Sequence, residues 1–348
     1  MTSTIAVQAN VAFDKSAFWD KVHCGNCADV LRRIPAASVD AVVTSPPYYR
    51  QRDYEGIGIG NEDSVSEYIA ALLAAFGEVV RVVKPTGNIV YNLGDKYLRG
   101  GLLLAPYRFA LAAVEKFPVS LVNNITWVKR NPTPRQYKRR LVSSTEPFFH
   151  FVKSDDYYYA RDEFMNGSGY QGDFGRMPSK PVCKPGLKLG QKYRELLSCS
   201  SLSAKQKILG HRVLDEAIAE VRSGTIEGFR MKIRGIHAPA FGGQDGGRNS
   251  QMRDNGFTLI RIRGEKMKRD IIESAVASGN GSGHSAVYPL PVIRELIRLL
   301  CPPGGVVLDH YAGSGTTLVA ARREGRHYIG VDINAGYCRY ARKWALHG

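Results

Sequence analysis

The chain has 348 residues, 44% of them hydrophobic, and carries 48 Lys and Arg against 32 Asp and Glu, a formal charge of +16 with a pI near 9.6. That apolar share can fill a globular core, no run approaches the roughly 18 apolar residues of a membrane span, and residues 1–10 lack the basic start and apolar core of a signal peptide, so a cytoplasmic location is expected. The cationic excess favours a polyanionic partner, nucleic acid first, because each neutralised phosphate releases condensed counterions.

In chain order, the first half alternates strands and helices. Val39 to Thr44 (VDAVVT) is a short apolar run ending at Ser-Pro-Pro, where missing N–H donors take the chain out of a sheet. Ile69, Leu72, Leu73, Phe76, Val80 and Val83 recur at helical spacing, and Pro85-Thr86-Gly87 closes that helix. Asn88 to Leu93, Val119 to Val128 and Phe148 to Val152 read as strands, the last two separated by a basic, proline-broken loop, Lys129 to Arg140. From about Arg161 to Gly283 glycine becomes frequent and the alternation is lost, with a helix expected at His211 to Arg222 and a strand at Phe257 to Arg263. Alternation returns with an amphipathic helix, Val292 to Leu300, stopped by Pro302-Pro303-Gly304-Gly305. The strand Val306 to Asp309, a glycine turn, a helix and the strand His327 to Asp332 then form a right-handed parallel crossover. The two alternating stretches are expected to share one parallel sheet. Of six cysteines only Cys24 and Cys27 sit at C-x-x-C spacing, with no second pair to complete a zinc site; all six read as reduced thiols, and no metal is expected.

Two turns carry chemistry. In the first, Asp309 to Thr317 (DHYAGSGTT), glycines let the backbone approach a ligand and helix amides add positive potential. It lacks the Gly-Lys-Ser/Thr of a phosphate loop, and Leu318 stands where a dinucleotide fingerprint needs its third glycine. Taken alone, it reads equally well as a tight strand–helix turn. Asp332, about 20 residues on at the end of the next strand, can accept hydrogen bonds from ribose hydroxyls. The pair describes a nucleoside cofactor without a pyrophosphate, which S-adenosylmethionine fits.

The second turn is Thr44-Ser45-Pro46-Pro47-Tyr48-Tyr49. Two prolines stiffen the backbone and leave carbonyls aimed outward; a hydroxyl with a fixed carbonyl can accept both protons of an amino group, and a neighbouring ring can stack on a flat base. An exocyclic amine conjugated to a base ring is a poor nucleophile. Acceptors around it favour a more tetrahedral nitrogen, whose lone pair can attack a sulfonium methyl, with proximity and alignment supplying much of the acceleration.

At these residues the chain resembles the amino (N6-adenine and N4-cytosine) DNA methyltransferases. Ser45-Pro46-Pro47-Tyr48 matches their Asp/Asn/Ser-Pro-Pro-Tyr/Phe catalytic motif, and Asp309 to Thr317 is similar to Asp-Pro-Phe-x-Gly-Ser-Gly-Thr-Thr, with His310 in place of Pro and Tyr311 in place of Phe. The order, catalytic motif first, is that of the β-type permutation, and the similarity covers Cys24 to Lys153 and His284 to Lys343. Val83 to Tyr97 is similar to the family segment after the catalytic motif, and His284 to Pro289 to the segment before the cofactor strand. The resemblance implies an α/β, Rossmann-like S-adenosylmethionine-dependent methyltransferase fold with a mostly parallel sheet and a smaller irregular target-recognition region. Its catalytic half would span residues 20–160, the recognition region 161–283 and the cofactor-binding half 284–348. It also implies catalytic roles for Ser45, Pro46, Pro47 and Tyr48. S-adenosyl-L-methionine would be held by Asn26 (Asp in the family), His284, Ser285, Asp309, Tyr311, Gly313, Ser314, Gly315, Thr316 and Asp332. Ser in the first motif position is more usual among N4-cytosine members, a slight lean toward cytosine over adenine; C5 methylation lacks its Pro-Cys nucleophile.

Double-stranded DNA is the expected partner. Lys129, Arg130, Arg135, Lys138, Arg139 and Arg140 suit a phosphate backbone, and Gln244, Asp245, Arg248, Asn249 and Gln251 are of types that read base edges. A solvated basic loop and a plain glycine-rich loop are the alternatives for these two stretches. The target base must flip out of the duplex to reach the Tyr48 pocket. Other readings of the whole chain are an RNA methyltransferase, an enzyme acting on a protein amide, and a DNA-binding regulator with a decayed catalytic site. A homodimer and a cognate restriction enzyme are compatible with the resemblance.

Overall fold

Strands that are apolar on both faces need cover on both sides, which the intervening helices supply. The computed structural model describes residues 15–51, 58–132, 139–160, 189–237, 247–262, 269–276 and 288–347. Its strands are β1 (Lys21–Cys24), β2 (Val39–Thr44), β3 (Val83–Asn92), β4 (Tyr97–Leu98), β5 (Gly101–Leu102), β6 (Ser120–Lys129), β7 (Thr145–Val152), β8 (Gly228–Ile233), β9 (Phe257–Ile262), β10 (Ile271–Ser274), β11 (Val306–Asp309) and β12 (His327–Asp332). Eight form one sheet in the order β1-β12-β11-β2-β3-β7-β6-β10. Every neighbouring pair is parallel except the two involving β7, which alone runs against the rest. The N- and C-terminal stretches meet mid-sheet, where Val307 and Leu308 of β11 lie opposite Ala41 and Val42 of β2.

Side chains alternate across this sheet. Val42, Ile89, Tyr91, Leu308 and Val331 join one apolar layer with Leu72, Phe76 and Val79 of the helix Val65–Val82 and Phe109 of the helix Ala105–Lys116. Ala41, Val43, Val90, Val307 and Tyr328 join the opposite layer, with Ile293, Leu296 and Ile297 of the helix Leu290–Leu300, Leu318 of Thr316–Arg323 and Ala341 of Ala335–His347. The result is the expected doubly wound, mostly parallel α/β fold. No helix among the described residues is long and apolar enough to cross a membrane.

The chain divides into two compact units, Met1–Asn166 with Arg269–Gly348, and Gly167–Lys268. β10 falls inside the stretch read as irregular from the sequence, yet it extends the large sheet beside β6. With four residues it is too short to declare itself by periodicity, and so is β1. Pro85-Thr86-Gly87, expected to close a helix, lie instead in an irregularity of β3, between Val83 opposite Val39 and Asn88 opposite Ala41. Proline is tolerated there because bulged residues are left out of the ladder. The smaller unit packs the helices Gln191–Cys199 and Ala204–Arg222 with the antiparallel pair β8–β9 around Leu197, Leu214, Ile218, Phe229, Met231 and Phe257. Its longer helix starts seven residues before His211, at a capping box in which Ser203 and Gln206 satisfy each other's backbone N–H.

Parallel topology gathers the carboxyl ends of β1, β2, β3, β11 and β12 along one edge, and the reversed β7 brings its amino end there as well. Away from that edge, buried His150 is neutral: its Nε2–H donates to Asn88 Oδ1 (2.8 Å), whose Nδ2 donates to the Tyr158 and Leu300 carbonyls. Burial pushes the His150 imidazole down to about 4 from 6.5. The unfolded chain therefore takes up a proton below the ordinary value that the folded chain refuses, and stability falls as pH drops from 6.5 toward 4. At pH 5 this one group costs about 2 kcal/mol. Unfolding midpoints at pH 7 and pH 5 should differ less in His150→Gln than in the wild type; an unchanged difference would place the sensitivity elsewhere.

Candidate active site

At the carboxyl edge the strand ends line a cleft of about 970 Å3. β2 ends at Thr44, and Ser45-Pro46-Pro47-Tyr48 leaves the sheet as one wall of this cleft. Two bonds pin the turn: Thr44 Oγ1 donates to Asp309 Oδ1 (2.7 Å), and Tyr68 Oη donates to the Pro47 carbonyl (2.9 Å). Only one proline carbonyl is therefore spare, since Pro46 accepts no hydrogen bond among the described residues. Ser45 Oγ lies 3.2 Å from Tyr48 Oη and 3.4 Å from Asn92 Oδ1, donating to one or the other. A hydroxyl has one proton and two lone pairs, so Ser45 keeps acceptor capacity toward the cleft.

The Tyr48 ring rests on the backbone of Gly94, where a Cβ would come within 2.4 Å of the ring; only glycine admits it. Tyr48 Oη donates to Asn92 Oδ1 (2.9 Å) or Glu146 Oε2 (3.1 Å). Burial, and then the Glu146 charge, push this phenol well above its ordinary value, so it stays a protonated donor. Glu146 Oε1 in turn accepts from Lys129 Nζ, which also sits 5.0 Å from the centroid of the Trp127 ring. Lys129 was expected on a phosphate backbone. It is instead held by Glu146, the two side chains being only 20% and 15% exposed, because a carboxylate buried at the start of β7 demands a counter-charge.

The opposite wall is built by the glycine turn. Asp332 Oδ2 accepts from Gly313 N (2.8 Å) and Oδ1 from Asn334 N (2.8 Å), leaving further lone pairs on both oxygens. Burial pushes its carboxyl up, opposed by those backbone N–H bonds. Tyr311, Gly313, Ser314, Thr316, Asp332 and Asn26 all line the cleft. Two residues expected to touch the cofactor are not among those that line the cleft. Asp309 is fully buried outside the lining, its oxygens taken by Thr44, by Tyr311 N (3.1 Å) and by Tyr288 Oη (3.2 Å); it ties the two motifs together from below. Gly315, with φ +92°, packs against Ala341 and opens the helix Thr316–Arg323. His284 and Ser285 lie outside the described residues.

These residues fit S-adenosylmethionine. Asp332 offers acceptors for a ribose diol, and Asn26, whose Oδ1 caps Ala28 N (2.9 Å), keeps its amide N–H groups for a purine edge. His310 lines the cleft with a buried Nδ1 that finds no partner among the described residues, a polar atom a bound ligand can satisfy. Its imidazole is pushed down to about 3 by burial, hence neutral.

Asn92, Trp127 and Glu146 are cleft residues that sequence reasoning missed. Asn92 had a signal, the Asn-Leu-Gly-Asp stretch where β3 ends; Glu146 had none, because only the reversal of β7 brings a strand's first residues to this edge. Among the basic residues expected to meet DNA, Arg130 and Arg139 are exposed, and Arg140 stacks its guanidinium 3.7 Å from the Tyr97 ring centroid in the cleft lining. Arg135, Lys138 and Gln244 lie outside the described residues. In the smaller unit Arg248 is exposed on the helix Gly247–Asp254, where a glycine-rich loop was expected, and Gln251, also exposed, accepts from Thr258 Oγ1 (2.7 Å).

A DNA methylase family model of the N6/N4 type matches residues 39–343. The type II methyltransferase M.BglI of Bacillus subtilis is 43% identical over 354 residues, covering 92% of this chain and 84% of its own. The cytosine-N4-specific PvuII DNA methyltransferase, whose sequence comes from Proteus hauseri, superimposes with a TM-score of 0.55 at 15% identity over 94% of this chain and 86% of its own. A putative DNA modification methylase of Thermus thermophilus, complexed with S-adenosyl-L-methionine, gives 0.50 at 21% identity over 94% and 93%. These two likenesses concern the fold. The chain belongs to the N6/N4 DNA methylase family. Its reaction is S-adenosylmethionine-dependent methylation of an amino group in DNA.

Proposed function

We propose that this chain is a site-specific enzyme that methylates N4 of a cytosine flipped out of duplex DNA. One observation carries the reading: Ser45, Pro46 and Tyr48 line a single cleft together with Gly313 and Asp332. Ser45 Oγ and Pro46 O accept the two amino protons and favour a tetrahedral nitrogen, while Asn92 and Glu146 hold Tyr48 for stacking on the base. S-adenosylmethionine would supply an electrophilic methyl group on a cationic sulfur, so the neutral amine can attack without a strong base acting first, and the methylated, cationic nitrogen then releases its surplus proton to water. Ser45, rather than an acid, in the first motif position supports cytosine over adenine. Arg130, Arg139, Arg140 and Arg248 contact DNA, and residues 161–283, centred on the unit Gly167–Lys268, select the sequence. A cytoplasmic location, a homodimer and a companion restriction enzyme belong to the same reading.

Purified protein with tritiated cofactor and mixed-sequence duplex DNA should label DNA and leave RNA and protein unlabelled. Nucleoside mass spectrometry should find N4-methylcytosine; N6-methyladenine would overturn the choice of base, and no label on any DNA would overturn the activity. Asp332→Ala, removing charged acceptors for two ribose hydroxyls, should weaken S-adenosylmethionine binding roughly 10- to 100-fold by calorimetry. Unchanged binding would place the cofactor elsewhere.

A further inference from the structure

Directly after the cleft residues Asp95 and Lys96, the chain forms a two-stranded ribbon, β4 and β5, with Tyr97, itself in the cleft lining, opposite Leu102 and with Leu98 opposite Gly101. Its two-residue tip, Arg99 (φ 49°) and Gly100 (φ 86°), has the paired positive φ of the tightest hairpin turn. The base is firmly held: Asp95 accepts from the backbone N–H groups of Lys96 (2.8 Å) and Leu104 (3.0 Å), and Leu103 N donates to Lys96 O (3.0 Å). A ribbon packed on its own protein buries its apolar side. This one exposes leucine on both faces, Leu98 at 56% and Leu102 at 46%. Residues i and i+2 share a face, and directly opposed residues do too, so Leu102 lies on the Tyr97 face and Leu98 on the other.

A thin blade that is apolar on both sides, rigid at its base and beside a pocket for an extruded base, matches the needs of a side chain entering a base stack, which has an aromatic plane above and below it. The surrounding charge suits the same partner: Arg99 at the tip is exposed, and exposed Arg139 adjoins Arg140, whose guanidinium is stacked on Tyr97. We propose that the Tyr97–Leu102 hairpin is the wedge that enters the duplex as the target base leaves, with Leu98 and Leu102 filling the vacated stack. This rests on the DNA reading above, and its test separates the two.

The modified position is first located by sequencing DNA methylated by the wild type. Two synthetic duplexes are then compared, one with the target base paired and one with an abasic site opposite it, where the cost of extrusion is largely removed. The Leu98→Ser/Leu102→Ser double variant should be slowed roughly tenfold or more on the paired duplex and stay within about twofold of wild type on the abasic one. Leu98→Phe, which keeps the blade apolar, should match wild type on both. Equal losses on the two duplexes, or no loss on either, would overturn the wedge; equal losses with a changed sedimentation coefficient would assign the leucines to self-association instead. A wild type that labels no DNA would overturn the DNA reading itself.

Discussion

Ser45→Ala is expected to slow methyl transfer about 100- to 1,000-fold while S-adenosylmethionine binds almost as before. The side chain has one proton, directed at Tyr48 Oη or Asn92 Oδ1, 3.2 and 3.4 Å away, and its lone pairs remain for the amino group. Alanine removes the acceptor that distinguishes a reacting, tetrahedral nitrogen from a conjugated, planar one, so the loss falls on the transition state rather than on ground-state binding. Asp332 and Gly313, on the other wall, are untouched. Tyr48 gives a graded companion: Tyr48→Phe keeps the ring and loses the hydroxyl's bonds to Asn92 or Glu146 and to Ser45, so it should retain more activity than Tyr48→Ala. Single-turnover rates with saturating cofactor and DNA make the comparison. Near-wild-type transfer by Ser45→Ala would remove this turn from the chemistry.

Lys129→Met is expected to destabilise the protein by about 3 kcal/mol, more than any loss of surface charge would. The substitution leaves the Glu146 carboxylate mostly buried without its ammonium, while Tyr48 Oη still donates to it. Lys129→Met/Glu146→Gln should recover most of that stability, since it removes the charge together with its partner. Were Lys129 a phosphate contact, as its place at the head of a basic loop suggests, the single variant would unfold normally and instead reduce the salt dependence of DNA binding. Urea unfolding of the two variants distinguishes the cases. Arg130→Met, one residue on and exposed, should show the electrostatic effect without the instability.

Much was legible because the relevant signals are local. Short apolar runs mark β2, β3, β11 and β12, the double proline marks where β2 must leave the sheet, and the glycine turn followed by Asp332 marks the two segments that share the cleft. Where local pattern is weak, reading fell short. Four-residue strands such as β1 and β10 carry too few residues for a period, and Pro85 and Gly87 sit as comfortably in a bulge as at a helix end.

The sequence by itself determined the strand–helix alternation, the two motifs and their chemistry, because each depends on residues adjacent in the chain. Tertiary structure alone decided which side chains serve each motif. Asp309, expected at the cofactor, lies buried outside the cleft lining and ties the two motifs together, its oxygens accepting from Thr44 and Tyr288. Glu146 looked like nothing in particular and entered the cleft because one strand of eight runs backward. Charges and polar atoms settle according to what surrounds them after folding, and that neighbourhood is composed of residues far apart in the chain.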